Sequence, residues 1–191
     1  MRLRAYGVPQ SDAMVFLEIK KKFRGLVNKR RTLIRLDKAY DFIQTGQCSY
    51  ADPYMNHQVV KELECFMERY NLLPKVYIAY DRLAFFERGN DDLRISFDTN
   101  IRTRRYNLKL ESGDYGKPLL PDDIWLMEIK TSKAMPIWLA DMLNELCIRR
   151  RSFSKYGTEF KQTINHLRDN TPEINIPFPV SHAIANRRMV S

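Results

Sequence analysis

Only three cysteines occur in the 191 residues, Cys48, Cys65 and Cys147, and none forms a C-x-x-C pair. That excludes a disulfide framework and a zinc knuckle, and fits reduced thiols buried as small hydrophobes in a cytoplasmic protein. Neither G-x-x-x-x-G-K-[ST] nor G-x-G-x-x-G is present, so a bound nucleotide is expected to be held by side chains rather than by a glycine-rich backbone cradle. The histidines His57, His166 and His182 fall into no metal or triad spacing, read as surface or packed residues, and no nucleophile elbow accompanies them. No apolar run reaches the roughly eighteen residues of a membrane span, and MRLRAYG has no signal-peptide core. Internal repeats and low-complexity blocks are also missing.

What the chain has in excess is positive charge. Lys and Arg number 32 against 23 acidic residues, a net charge of +9, with 44% hydrophobic and 12% aromatic residues. This is the composition of a globular domain with a polyanionic partner: nucleic acid, a phosphate-rich small molecule or an anionic membrane surface.

The cations are patterned. In FLEIKKKFRGLVNKRR, Val15, Leu17, Ile19 and Phe23 share one parity and Glu18, Lys20 and Lys22 the other, the period of a strand with one apolar and one charged face. Arg24-Gly25 predicts a turn into a second strand from Leu26 to Ile34. A first strand is predicted at 2–6. Asp37 is read as the cap of a helix over 38–44 that stops at Gly46, and Asp52-Pro53 opens a longer one to about Asn71. Strands are predicted at 75–86, 91–102, 106–110 and 124–130, then helices at 136–150 and 156–168. Ile95, Phe97 and Ile101 are expected on one face, with Arg94, Ser96, Asp98, Asn100 and Arg102 opposite. Residues 1–170 read as one domain and 171–191 as a Pro-containing basic tail, flexible by composition.

Several strands thus pair a charged face with an apolar one, and four helices are available to cover the apolar faces. The architecture that satisfies both is α+β: an antiparallel β-barrel with a polar interior and helices packed outside. Arg2, Arg4, Lys20, Lys22, Arg82, Arg94 and Lys130 outnumber Glu18, Asp98 and Glu128 in such a lining. Two like charges about 6 Å apart at an effective dielectric of about 20 repel by roughly 3 kcal/mol, so a dense anion is called for, and phosphate chains meet Arg and Lys with charge-assisted hydrogen bonds.

In order along residues 1 to about 160, the motifs RLRAYG, FLEIKKK with NKRR, YDRLAFF, RISFD, LMEIK and SFSKYG resemble the polyphosphate polymerase domain of the vacuolar transporter chaperone (VTC) family, a branch of the CYTH-like triphosphate tunnel metalloenzymes. The resemblance implies a tunnel that transfers the γ-phosphoryl of ATP to a growing polyphosphate chain with Mn²⁺ or Mg²⁺. It implies substrate binding by Arg2, Arg4, Lys20, Lys29, Arg82, Arg94 and Lys155, a metal role for Glu128, and no protein nucleophile. It leaves room for a membrane-protein partner, with no nucleic acid involved. Family members carry a further amino-terminal segment with the first tunnel strands, so this barrel is expected to be truncated, about two strands short of a closed eight-stranded tunnel.

Simpler roles stand beside these. Glu128 can ion-pair with Lys130, Lys155 can cap carbonyls near a helix end, and Glu18 can balance Lys20 or contact metal. Arg149, Arg150 and Arg151 read as a solvated helix end, and Trp125 and Trp138 as packing residues. Two other functions remain: a non-catalytic module of the same fold that binds polyphosphate or nucleotide, and a basic nucleic-acid binder. Most aromatics are expected opposite the charges, which argues against a base-stacking platform.

Overall fold

The computed structural model describes residues 1–48 and 52–169, without the side chains of residues 22, 23, 90 and 91. The predicted tail and the lining role of Lys22 lie outside the described residues. Among the described residues the strands form two antiparallel sheets and do not close into a barrel. In the first, β1 (Arg2–Arg4), β2 (Met14–Phe23) and β3 (Leu26–Arg35) pair in that order. The two-residue connection is the predicted Arg24-Gly25, with φ of 47° and 82°; positive φ at both positions matches the right-handed strand twist, and glycine takes it without strain.

Alternation then sorts the side chains. Val15, Leu17 and Ile19 of β2 and Ile34 of β3 are buried in a core with Leu36, Ala39, Phe42, Met55, Val59, Val60 and Leu63. The last seven come from α1 (Leu36–Thr45), α2 (His57–Arg69) and the loop before α2, so these two helices seal the apolar face of the first sheet. Arg35, not Asp37, occupies the N-cap position of α1. Asp37 sits in the first turn, where it accepts from Lys38 N–H at 2.8 Å and from Arg35. Gly46 closes the helix with φ 74° as expected. The α2 cap is Asn56, whose side chain accepts from Val59 N–H at 3.1 Å; the stretch from Asp52 makes a turn instead of helix.

In the second sheet, β5 (Asn90–Arg104) pairs with β4 (Tyr77–Glu87) on one side, and with β6 (Lys117–Pro118) and β7 (Leu126–Thr131) on the other. A bulge interrupts β4 and β5: the register passes from Asp81↔Thr99 to Ala79↔Arg102, with Asn100 at φ 47°. The extra residue in β5 reverses its alternation. Ile101 therefore joins Asp98 and Thr103, all buried, and not Ile95 and Phe97 as the unbroken period predicted. The strand expected at 106–110 is absent; the chain there makes a loop and a 3₁₀ turn at Leu110–Ser112.

That loop is organised by Arg104, 3% exposed. Its guanidinium lies 3.6 Å from the Tyr77 ring centroid and 4.4 Å from that of Tyr115, and donates to the carbonyls of Asn107, Tyr115 and Lys109. Tyr40 of α1 joins the loop to the first core: it donates to Glu111 at 2.6 Å and accepts from Leu110 N–H at 2.8 Å.

Helix α3 (Ile137–Glu145) stops short of the predicted Arg150. Cys147 adopts φ 54°, and Ile148 N–H bonds Leu143 O at 2.8 Å, a Schellman-type ending on a residue other than glycine. Cys65 and Cys147 are exposed and Cys48 is partly buried, none of them in a disulfide, so the expectation of buried thiols fails. Leu83, Phe85, Trp125 and Trp138 are each about half exposed. The four predicted helices exist, but the apolar face of the second sheet is not sealed as that of the first is.

Candidate functional site

The candidate charged side chains of the strands lie on one face of each sheet. On the first, the register places Arg2, Glu18 and Arg31 in one cross-strand row, Arg4, Phe16 and Leu33 in the next, and Lys20 opposite Lys29. Glu18 is 3% exposed and is the only carboxylate in these rows. Arg2 donates to its Oε2 through Nε at 2.8 Å and through Nη2. Lys29 Nζ stands 3.1 Å from Oε1 as an ion pair without an aligned hydrogen bond. Burial pushes the Glu18 carboxyl up, but Arg2 and Lys29 together hold it below its ordinary value. Glu18 thus partners Arg2 and Lys29, and Lys20 is left exposed beside Lys29. Like charges directly opposite on a sheet destabilise it.

The second sheet repeats the theme. Arg82 lies opposite Asp98, Ser96 opposite both Ala84 and Glu128, and Arg94 between Phe86 and Lys130. Asp98, 1% exposed, accepts from Arg82 Nε at 2.5 Å, Arg82 Nη2 at 2.7 Å and Lys155 Nζ at 2.5 Å. Burial raises the Asp98 carboxyl, and these donors more than offset it, so its value falls below the ordinary one. The hydrogen bonds to Asp98 push the Arg82 guanidinium up. Tyr80 completes the cluster, with Lys155 Nζ 4.4 Å and the Arg82 guanidinium 5.2 Å from its ring centroid. Arg94 stacks on Phe86 at 5.1 Å, and Arg94↔Lys130 is a second like-charged cross-strand pair.

Lys155 reaches this cluster as the first residue of α4 (Lys155–Asp169). Ser154 caps the helix, its Oγ accepting from Gly157 N–H at 3.1 Å. A role for Lys155 in capping carbonyls is therefore overturned, because a helix exposes its free carbonyls at the other end. Farther along, Glu159, buried, takes both Arg105 Nε at 2.7 Å and Nη2 at 2.8 Å, and Gln162 donates to Leu119 O at 3.2 Å. These contacts fix α4 across the charged face. Sequence places Asp98 in the charged lining without a partner or role, and does not pick out Tyr80, Arg104 or the Arg105–Glu159 pair; only the recurrence of Arg on β5 hints at them.

The eight candidate residues therefore fall into two groups: Arg2, Arg4, Lys20 and Lys29 on the first sheet, and Arg82, Arg94, Glu128 and Lys155 on the second. Glu128 is about half exposed, with Oε1 3.3 Å from Lys130 Nζ and Oε2 3.6 Å from Arg82 Nη2. Among the described residues no group of three His, Cys, Asp or Glu side chains is placed to hold a metal ion. Asp98 is saturated by cations, so Glu128 can offer oxygen only to an ion that brings its other ligands with it. Arg149, Arg150 and Arg151 are exposed as expected, but they lie past the end of α3 at Glu145 and do not form its helix end. Among the described residues no helix is long and apolar enough to cross a membrane.

None of the curated proteins matches this chain. The family model of the VTC domain matches residues 1–164, which takes in both charged faces and the start of α4 up to its contacts with Asp98, Arg105 and Leu119; the chain belongs to the VTC domain family.

Proposed function

We propose that the two charged faces bind phosphate chains and that the chain serves polyphosphate synthesis, moving the γ-phosphoryl of ATP onto a growing polyphosphate. The observation that carries this reading is the pair of like-charged neighbours, Lys20↔Lys29 and Arg94↔Lys130, one on each sheet. Glu18 and Glu128 reach only Lys29 and Lys130 of these pairs, so each pair keeps a second cation for which an added anion is favourable. A phosphate chain supplies several anionic oxygens at close spacing and suits both Lys point charges and Arg forks.

In this reading Arg2, Arg4, Lys20 and Lys29 grip one stretch of phosphate and Arg82, Arg94 and Lys155 another. Asp98 and Glu18 are positioning residues that hold the cations in place. In the transfer, the bond from the γ-phosphorus to the β,γ-bridging oxygen breaks and a terminal oxygen of the acceptor chain forms the new bond, with ADP leaving. The side chains contribute alignment and neutralisation of the equatorial oxygens, and no protein nucleophile takes part. Mn²⁺ or Mg²⁺ fits Glu128 as a single carboxylate donor, since such ions keep waters and take phosphate oxygens as ligands; when bound, the ion would neutralise charge on the phosphates.

A non-catalytic phosphate-binding module is the second reading, favoured by the open sheets and the lone carboxylate at Glu128. Calorimetry with tripolyphosphate tests the shared part. Lys20→Ala or Arg94→Ala is expected to weaken binding more than tenfold, and equal affinity in wild type and variants would remove both readings. Mn²⁺-dependent ATP turnover separates them: Glu128→Gln abolishes it if the chain is catalytic, while metal-free anion binding persists. Tight oligonucleotide binding that tripolyphosphate cannot displace would favour a nucleic-acid binder instead.

A further inference from the structure

Tyr6 is 70% exposed yet its ring is held in place. It meets Phe16 edge-on, with centroids 6.1 Å apart and planes at 89°. The Arg4 guanidinium lies 4.8 Å from the Tyr6 centroid, and that of Arg31 lies 4.6 Å from the Phe16 centroid. Phe16 has the parity of Glu18 and Lys20, and Arg4 is its cross-strand partner. The aromatic pair therefore shares the charged face of the first sheet, contrary to the expectation that aromatics sit opposite the charges. One step along β2, about 7 Å, the Arg2–Glu18–Arg31 row begins, followed by Lys20 and Lys29.

An exposed ring with one guanidinium over it, beside a second ring that carries another, is a surface a nucleobase can stack on, because every base offers a π-face to aromatic and Arg partners alike. A row of cations one ribose-length away is where the attached phosphates would fall. We propose that Tyr6, with Phe16, Arg4 and Arg31, is a nucleobase-stacking subsite. The ligand of the first sheet is then a nucleoside polyphosphate, lying along β2 with its base at Tyr6 and its phosphates over Arg2, Lys29 and Lys20. This rests on the phosphate-binding reading of the same face and adds to it where the nucleoside end lies.

The test compares ATP with tripolyphosphate, which lacks a base, by calorimetry on the full 191-residue chain. Tyr6→Ala is expected to weaken ATP roughly tenfold, the scale of one lost base–aromatic stack, and to leave tripolyphosphate within about twofold. Tyr6→Phe keeps the ring and retains both affinities. Tyr6 is exposed, so its replacement leaves the core untouched. ATP affinity unchanged by Tyr6→Ala, or lost in equal measure with tripolyphosphate, would overturn the subsite while the phosphate reading stands. A wild-type chain that binds neither ligand removes both.

Discussion

Replacing Asp98 with asparagine keeps the shape of the side chain and deletes its charge. In the native protein the carboxylate takes three charge-assisted hydrogen bonds, two from Arg82 and one from Lys155. An asparagine can still offer one oxygen to Arg82, but its amide NH₂ then faces a cation donor. Arg82 and Lys155 are themselves about four-fifths buried, so neither recovers full hydration. Breaking a buried ion pair by removing one partner costs about 3–5 kcal/mol; the residual exposure of both cations puts Asp98→Asn near the lower end, about 3 kcal/mol. At about 2–4 °C per kcal/mol for a chain of this size, the midpoint of thermal unfolding falls by roughly 6–12 °C. The sign with pH follows from the lowered folded-state value: the stabilisation is complete above the ordinary Asp value and is lost as pH falls through the folded one. Wild type and variant therefore converge in strong acid. Circular dichroism melts at neutral and acid pH measure both effects. A midpoint within about 2 °C of wild type at neutral pH, less than about 1 kcal/mol, would refute the reasoning.

Other perturbations follow from single contacts. A Cβ on Gly116 would stand 2.7 Å from Thr103 O, so Gly116→Ala should detach β6 from β5 at about 1–3 kcal/mol, seen as faster hydrogen exchange at Thr103 and Lys117. Arg104→Lys keeps the charge but loses the fork to three carbonyls and the stack between Tyr77 and Tyr115; about 2 kcal/mol of stability should go with them, read by denaturant titration. Glu18→Gln should likewise destabilise the first sheet at neutral pH, an effect fading in acid because the Glu18 carboxyl is held low by Arg2 and Lys29.

The parts of the fold legible in sequence were those set by local period and local turns. The β2–β3 hairpin was readable down to its Arg24-Gly25 turn, because an unbroken alternation and a glycine at positive φ leave few other arrangements. With register known, Lys20 and Lys29 follow as neighbours. The second sheet was harder because the β5 bulge falls at Asn100, a residue that tolerates positive φ without advertising it. Beyond that point every face assignment reverses, and Ile101 moves to the Asp98 side. The end of α3 was missed for a related reason: Cys147 takes the place glycine usually holds, inside an apolar run that reads as continuing helix. Long-range partners such as Arg105–Glu159 and Lys155–Asp98 leave no periodic trace, since nothing local ties α4 to β5. The barrel was an inference from charge balance and resemblance. Two-faced strands are equally consistent with two separate sheets, and these are what the chain forms.

The central claim is that Lys20, Lys29, Arg82, Arg94 and Lys155 engage one class of ligand, a phosphate chain. Titrating the isotopically labelled full-length chain with tripolyphosphate and following its backbone and side-chain NH signals by NMR addresses it most directly. The prediction is saturable shifts concentrated on β2, β3, β4, β5 and the first turn of α4, strongest around Lys20–Lys29 and Arg94, with little change at Arg149, Arg150 and Arg151. Shifts centred on that exposed arginine run, or spread evenly over all surface cations, would contradict it.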